Sequence, residues 1–306
     1  MRNVESAALI GLGALGILFG WPLQRGAAPG RFAVIADAGR IRRYQQTPTV
    51  FNGEVCRFDY CTPEQGRPVD LVLVAVKATA LPEAAEEIRR FVGPDTVIVS
   101  VLNGIASEEY LERLYPGRLL WSVALGMDAT RTGRELVCKT KGCIQLGERD
   151  GSLTPRLQAT AEHLAGCGIE VEVCTDILYK QWHKLMMNDG LNQASAVFDL
   201  TYGGLRQPGP AQDRMMQAMH EVVAVANREG VALPDDAPET WLREMMPRFD
   251  ADAMPSMRQD VLARRPTEVE EFAGVIRRLG RRHSVPTPAN DFFYERIRAM
   301  EAGWAG

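Results

Sequence analysis

The chain has 306 residues, 46% of them hydrophobic and 24% charged, with a net charge of −4, which is an ordinary mix for one large or two smaller globular domains and excludes a strong field for nucleic acid. Six cysteines without a CxxC pair and four scattered histidines give no metal site, and free thiols in a reducing cytoplasm are expected. No apolar run nears the roughly 20 residues of a membrane span, and MRNVESAALIGLG has no long apolar leader core, so a soluble cytoplasmic protein without a membrane partner is expected.

In chain order, ESAALI (5–10) reads as a short buried strand. It runs into Gly11-Leu12-Gly13-Ala14-Leu15-Gly16, which fits G-x-G-x-x-G. The first glycine permits a tight turn, the second lets backbone approach a pyrophosphate, and the third lets helix pack on strand. N–H groups at the helix start then face the anion. Alone the motif is weak. Between a strand and the apolar segment ILFGWPLQ it reads as a dinucleotide turn. Pro22 falls where the first helix should continue, and an interior proline costs roughly 3 kcal/mol, so a short or kinked helix with QRGAAPG as a longer loop is expected.

RFAVIAD (31–37) reads as a second strand. An acidic residue at its end bonds a ribose 2′-hydroxyl, whereas a nearby arginine accepts a 2′-phosphate. The chain offers Asp37 and also Arg40, Arg42 and Arg43, which leaves NAD and NADP both open. DLVLVAVK (70–77) and TVIVSVLNG (96–104) are continuous apolar runs, as in parallel strands covered on both faces. LPEAAEEIRRF between them reads as a crossover helix. Lys77 and Asn103 end these strands, where ligands of such sheets bind. Short β-like runs over 118–150, a capped helix TPRLQATAEHLAGCG and the strand IEVEV close the sheet.

From Asp176 onward β signals vanish, and amphipathic segments cover 176–200, 210–229, 237–248, 266–283 and 287–301. The fold class is therefore α/β: a Rossmann-type doubly wound sheet over residues 1–174, then a mainly α-helical domain over 175–306. Met215, Met216, Met219, Met245 and Met246 read as core or as a face that pairs two copies into a homodimer. The run Arg277, Arg278, Arg281, Arg282, His283 reads as a solvated helix face. His183 reads as packing or surface.

The most informative stretch is WHKLMMNDGLNQ (182–193), which places Lys184, Asn188 and Asn192 at steps of four. On an α-helix these three polar groups lie nearly on one face, among core-type residues. Such a face suits a polar ligand that must receive a proton. Lys77, Asn103, Ser256 and Glu268 also have bland readings: strand-end charge, turn dipeptide, helix cap and helix-start carboxylate.

Taken together, GLGALG, the lysine of VAVKAT, the Asn-Gly of VLNG, WHKLMMNDGLN and PSMRQDVLARRPTE resemble the ketopantoate reductase (2-dehydropantoate 2-reductase) family over nearly the whole chain. The resemblance implies catalytic roles for Lys184 and Glu268, and substrate binding by Asn188, Asn192, Ser256 and Asn103. It implies cofactor binding by Gly11, Leu12, Gly13, Ala14, Leu15, Gly16, Asp37, Arg40, Lys77 and Asn103, with no metal. The implied reaction is reduction of ketopantoate, a small-molecule 2-keto acid, to D-pantoate with NADPH, in pantothenate and coenzyme A biosynthesis. In well-known members an arginine ends the second strand and binds the NADPH phosphate. Asp37 stands there in this chain. That departure keeps NAD open as the cofactor, and with it an NADH-dependent reductase of another branched or aromatic 2-keto acid. A dinucleotide-binding sensor without turnover is the third alternative, and it has no use for a proton donor such as Lys184.

Overall fold

The computed structural model describes residues 3–304, and the chain divides into two compact units. One is built on residues up to Asn103 and from Ser107 to Ile177, the other on Gly104–Ala106 and from Leu178 onward.

The first unit opens with β1 (Ala7–Ile10), α1 (Ala14–Gly26), β2 (Phe32–Ile35) and α2 (Ala38–Gln46). Then come β3 (Val50–Phe51), β4 (Glu54–Val55), β5 (Tyr60–Cys61), β6 (Leu71–Val74), α3 (Leu81–Glu87), β7 (Val97–Ser100) and α4 (Ala106–Leu114). It closes with β8 (Leu119–Met127), β9 (Thr130–Thr132), β10 (Glu135–Val137), β11 (Lys141–Gly147), α5 (Pro155–Gly166) and β12 (Glu170–Val173). The main sheet runs in the order β5-β2-β1-β6-β7-β8-β11-β12. Its strands are parallel from β5 to β8; β11 is antiparallel to β8, and β12 runs with β11. AALI, LVLV and VIVS are buried at every position, as the continuous apolar runs require of strands covered on both faces. The chain reverses its progress across the sheet between β1 and β6. That is the switch point where doubly wound sheets take ligands.

Two features depart from the sequence reading. α1 continues through Pro22 to Gly26, so QRG is helix and not loop. Proline forfeits one backbone hydrogen bond there, while Ile17, Leu18, Phe19 and Leu23 are buried along the helix and hold it in place. A second sheet, β4-β3-β10-β9, also stands apart from the main one. Its strands of two or three residues are too short to show a period.

The second unit contains α6 (Ile177–Phe198), α7 (Tyr202–Leu205), α8 (Pro210–Arg228), α9 (Ala237–Glu244), α10 (Ser256–Leu262), a π turn (Glu270–Gly274), α11 (Val275–His283) and α12 (Pro288–Ala302). Leu185, Met186 and Leu191 of α6 pack in one core with Met215, Met219, Phe272 and Phe293. Met246 is buried as well, but Met245 is 38% exposed. The basic run on α11 is not uniformly solvated. Arg277 pairs with Asp291 at 2.5 Å and lies over the Tyr294 ring, which burial of its aliphatic stem permits. Among the described residues no helix is long and apolar enough to cross a membrane, and no group of side chains could hold a metal ion.

Candidate active site

The turn after β1 has the geometry that its glycines foretell. Gly11 sits at φ +97°, and a Cβ there would meet the Ala75 carbonyl at 2.6 Å. A Cβ on Gly16 would lie 1.8 Å from the Gly11 oxygen. At Gly13 the nearest atom is 3.8 Å away, so space stays open at the middle glycine. Gly13 is also the N-cap of α1, with no side chain satisfying the helix N–H groups and no acidic residue in the first turn. An open cradle facing donor N–H groups fits the pyrophosphate of a dinucleotide. The Arg131 guanidinium, from β9, donates to the Leu12 carbonyl of this turn. The sequence offered no signal for Arg131, because β9 is short and far along the chain.

At the end of β2, Asp37 is the N-cap of α2, with Oδ1 accepting from the Arg40 N–H at 2.8 Å. That backbone bond, aided by the Arg40 and Arg43 charges, holds the Asp37 carboxyl below its ordinary value. Arg40 lies between two carboxylates, with Nε 3.2 Å from Asp37 and Nη2 3.7 Å from Glu83. A pocket lies here, lined by Gly11, Ala36, Arg40, Tyr44, Glu83 and Glu87 among others. Lys77 is exposed and caps a short turn (Ala78–Ala80) past β6, and Asn103 is half-buried past β7.

In the second unit, α6 carries Lys184, half-buried, one turn ahead of Asn188 and Asn192, which are 8% and 4% exposed. Two amides so deep in a helical core must find partners. Asn192 Nδ2 donates to Asn188 Oδ1 at 3.3 Å, and Asn192 Oδ1 accepts from the Ser256 hydroxyl and the Met257 N–H, both at 3.2 Å. Asn192 therefore holds the start of α10 against α6 and brings Ser256 to Asn188. Glu268 comes from a separate bend, ahead of the π turn. That bend is anchored where the Thr267 N–H and hydroxyl donate to Glu301 at 2.8 and 2.7 Å. Asn188, Asn192 and Ser256 thus form one hydrogen-bonded group, Lys184 shares the helix of the two asparagines, and Glu268 comes from the bend anchored by Thr267. Asp37, Arg40, Lys77 and the glycine turn belong to the first unit, as does Asn103.

Sequence reasoning passed over two groups here. Glu271 backs onto Gly104, whose Cβ would meet the Glu271 carbonyl at 3.2 Å. Burial, then the Glu268 charge, pushes the Glu271 carboxyl above its ordinary value. Beside the amides, Asp189 and Gln193 are wholly buried, with Gln193 Nε2 donating to Asp189 Oδ1 at 3.0 Å. Their spacing of four was visible, but their burial was not.

A parallel sheet with a glycine turn at its switch point, joined in one chain to a helical unit bearing a lysine and paired amides, defines an oxidoreductase that works with a nicotinamide dinucleotide. Comparison with known proteins narrows the class. The family described as "Ketopantoate reductase PanE/ApbA" matches residues 7–151, and its "C terminal" counterpart matches residues 176–301. The 2-dehydropantoate 2-reductase of Lactococcus lactis is 24% identical over 318 aligned positions, covering 96% of this chain and 97% of its own. That of Aquifex aeolicus is 26% identical over 241 positions, 76% of each. Among solved structures, a D-mandelate dehydrogenase in a ternary complex with NADH and anilino(oxo)acetate has a TM-score of 0.84 at 23% identity, covering 98% of this chain and 99% of that one. The chain belongs to the ketopantoate reductase family and is an NAD(P)-dependent oxidoreductase of the 2-keto acid class.

Proposed function

We propose that the protein reduces a 2-keto acid to the D-configured 2-hydroxy acid, with ketopantoate as the first substrate to consider. The observation that carries this reading is the hydrogen-bonded group of Asn188 and Asn192 on α6 with Ser256 of α10, beginning one helical turn after Lys184. A bound reduced nicotinamide would supply the hydride, with its two electrons, for the keto carbon. Charge then builds on the carbonyl oxygen, and stabilising that charge is usually the largest catalytic term. Lys184 serves as general acid: its ammonium meets the developing oxyanion, passes it one proton, and is reprotonated from solvent. Asn188, Asn192 and Ser256 present amide and hydroxyl groups to the substrate's hydroxyl and carboxylate. Glu268 accepts a hydrogen bond from a substrate hydroxyl. Lys77 and Asn103, past the carboxyl ends of their strands, would hold the nicotinamide end of the cofactor.

Ketopantoate is supported by the names of the relatives that match nearly the full chain. A second reading keeps the chemistry and changes the substrate to another branched or aromatic 2-keto acid, reduced with NADH. It is supported by Asp37 at the end of β2 and by the NADH-bound D-mandelate dehydrogenase of similar fold.

A steady-state panel separates the two: ketopantoate, a branched aliphatic 2-keto acid and phenylglyoxylate, each with NADH and with NADPH. The highest kcat/KM with ketopantoate supports the first reading, and with another acid the second. Absence of turnover with every pair overturns both.

A further inference from the structure

The adenosine end of the dinucleotide site has an electrostatic character that the glycine turn does not reveal. The pocket beside Gly11 and Leu12 is bounded by the end of β2, by Arg40 and Tyr44 of α2, and by Glu83 and Glu87 of α3. In a doubly wound sheet this is where the ribose next to the pyrophosphate lies. Arg40 is the one cation among the residues that line it. Its guanidinium is already shared, with Nε 3.2 Å from Asp37 Oδ2 and Nη2 3.7 Å from Glu83 Oε1. Glu87 completes the acidic wall. Its carboxyl is pushed above the ordinary value by burial first and then by Glu83, with Asp37 and Glu64 adding to the effect and Arg40 opposing it. The charged groups lining the pocket are thus Glu83 and Glu87 against Arg40, with Asp37 and Glu64 acting on Glu87 and Arg43 acting on Asp37.

We infer that this pocket selects NAD(H) over NADP(H), and that Glu83 and Glu87 are specificity-determining residues together with Asp37. A ribose 2′-hydroxyl donates a hydrogen bond to a carboxylate. A 2′-phosphate has no proton to spare for that bond at neutral pH and brings close to two negative charges into an acidic wall. To receive it, Arg40 would have to divide its single charge among the phosphate and both carboxylates, with Asp37 still standing at the end of β2. Asp37 alone is the familiar acidic residue of such turns. Here α3 adds two carboxylates and engages Arg40, the arginine that lines the pocket. The inference rests on the reading of the first unit as a dinucleotide site.

The test is direct titration of the full-length protein with NADH and with NADPH, without substrate, following the emission of the bound dihydronicotinamide. NADH binds at least about tenfold tighter than NADPH, the order that repulsion by one carboxylate near the surface supports. In the double variant E83Q/E87Q the NADPH Kd falls several-fold while the NADH Kd stays within about twofold. Adding Asp37→Ser narrows the ratio again. Equal or tighter binding of NADPH by the unaltered protein overturns the inference and leaves the dinucleotide site standing. So does a ratio that E83Q/E87Q leaves unchanged in protein with unaltered Tm. Failure to bind either nucleotide overturns the inference together with the reading on which it rests.

Discussion

The two units treat their carboxylates in opposite ways. In the first, Asp37 and Glu83 stand at least half open to solvent around Arg40, and the backbone hydrogen bond from Arg40 holds the Asp37 carboxyl below its ordinary value. In the second, Asp189 is wholly buried, and burial followed by the nearby Glu221 charge pushes its carboxyl well above the ordinary value. Glu221, also buried, accepts from the Ala289 and Asn290 N–H groups at 2.7 and 2.9 Å and so fixes the start of α12. Exposed charge is available to choose a ligand. Buried carboxyls, shifted upward by burial, build a scaffold, and here that scaffold lies beside the amides of α6. The contrast teaches that neighbouring polar residues on one helix can have unrelated tasks, set by which side of the helix they occupy.

The sharpest way to break this contrast is within α6. If Lys184 donates the proton, Lys184→Met keeps the apolar stem and lowers kcat by at least about 10²-fold, with Tm near that of the unaltered protein. A near-normal kcat in the folded variant removes Lys184 from the chemistry.

Next in size is Asn192. Its Oδ1 accepts from both Ser256 Oγ and Met257 N, and it is 4% exposed. Asn192→Ala leaves a buried backbone N–H without a partner, at a cost of about 1–3 kcal/mol. It also releases the start of α10 from α6, so KM for the keto acid rises as well. Urea unfolding and initial rates measure the two effects. A change in stability without a change in KM would make Asn192 scaffold only and move it to the side of Asp189.

Asp189 is the third test, and the sign follows from linkage. Its folded-state value lies well above 3.8, so the native state keeps a proton that the unfolded state loses. The contribution to stability is complete below about pH 4 and is lost as pH rises through the folded value. Asp189→Asn cannot titrate, so its stability declines less toward alkaline pH, while kcat stays close to that of the unaltered protein. Glu221 is shifted the same way and leaves a residual slope. Urea midpoints over a pH series check this, and parallel curves for the two proteins would refute the buried proton.

These outcomes also mark where the sequence was legible. Continuous apolar runs showed the parallel strands, since burial on both faces removes polar alternation from AALI and LVLV and leaves only Ser100 polar in VIVS. The glycine turn and the steps of four on α6 are local, so they could be read directly. The small second sheet gave too few residues for a period, and Pro22 argued against a helix that packing sustains. α10 was read only as a helix start at Ser256, because seven residues between Pro255 and the Arg-rich loop give a weak pattern. The remaining misses are matters of distance and depth. Arg131 reaches Leu12, and Glu83 reaches Arg40, only through the fold. Asp189 and Gln193 sit in plain view at helical spacing, but which side of α6 is buried depends on α8 and α12 packing over it.

The smallest expected effect probes the first unit alone. Screening weakens charge pairs in proportion to their exposure, with a Debye length of about 10 Å at 0.1 M salt and about 3 Å at 1 M. Arg40 and Asp37 have side chains 40% and 50% exposed, and Glu83 is 62% exposed, so the acidic wall acts partly through water. A preference for NADH that arises from repulsion of the 2′-phosphate must therefore shrink with added salt. The ratio of the two Kd values should fall by about two- to threefold between 0.05 and 0.5 M potassium chloride. The NADPH term should move toward tighter binding relative to NADH, although pyrophosphate contacts shared by both weaken together. Steric exclusion of the phosphate by the Asp37 cap would instead leave the ratio independent of salt. The same titrations in E83Q/E87Q separate these causes, since removal of the α3 carboxylates should remove most of the salt dependence and leave whatever Asp37 contributes by occupying the end of β2.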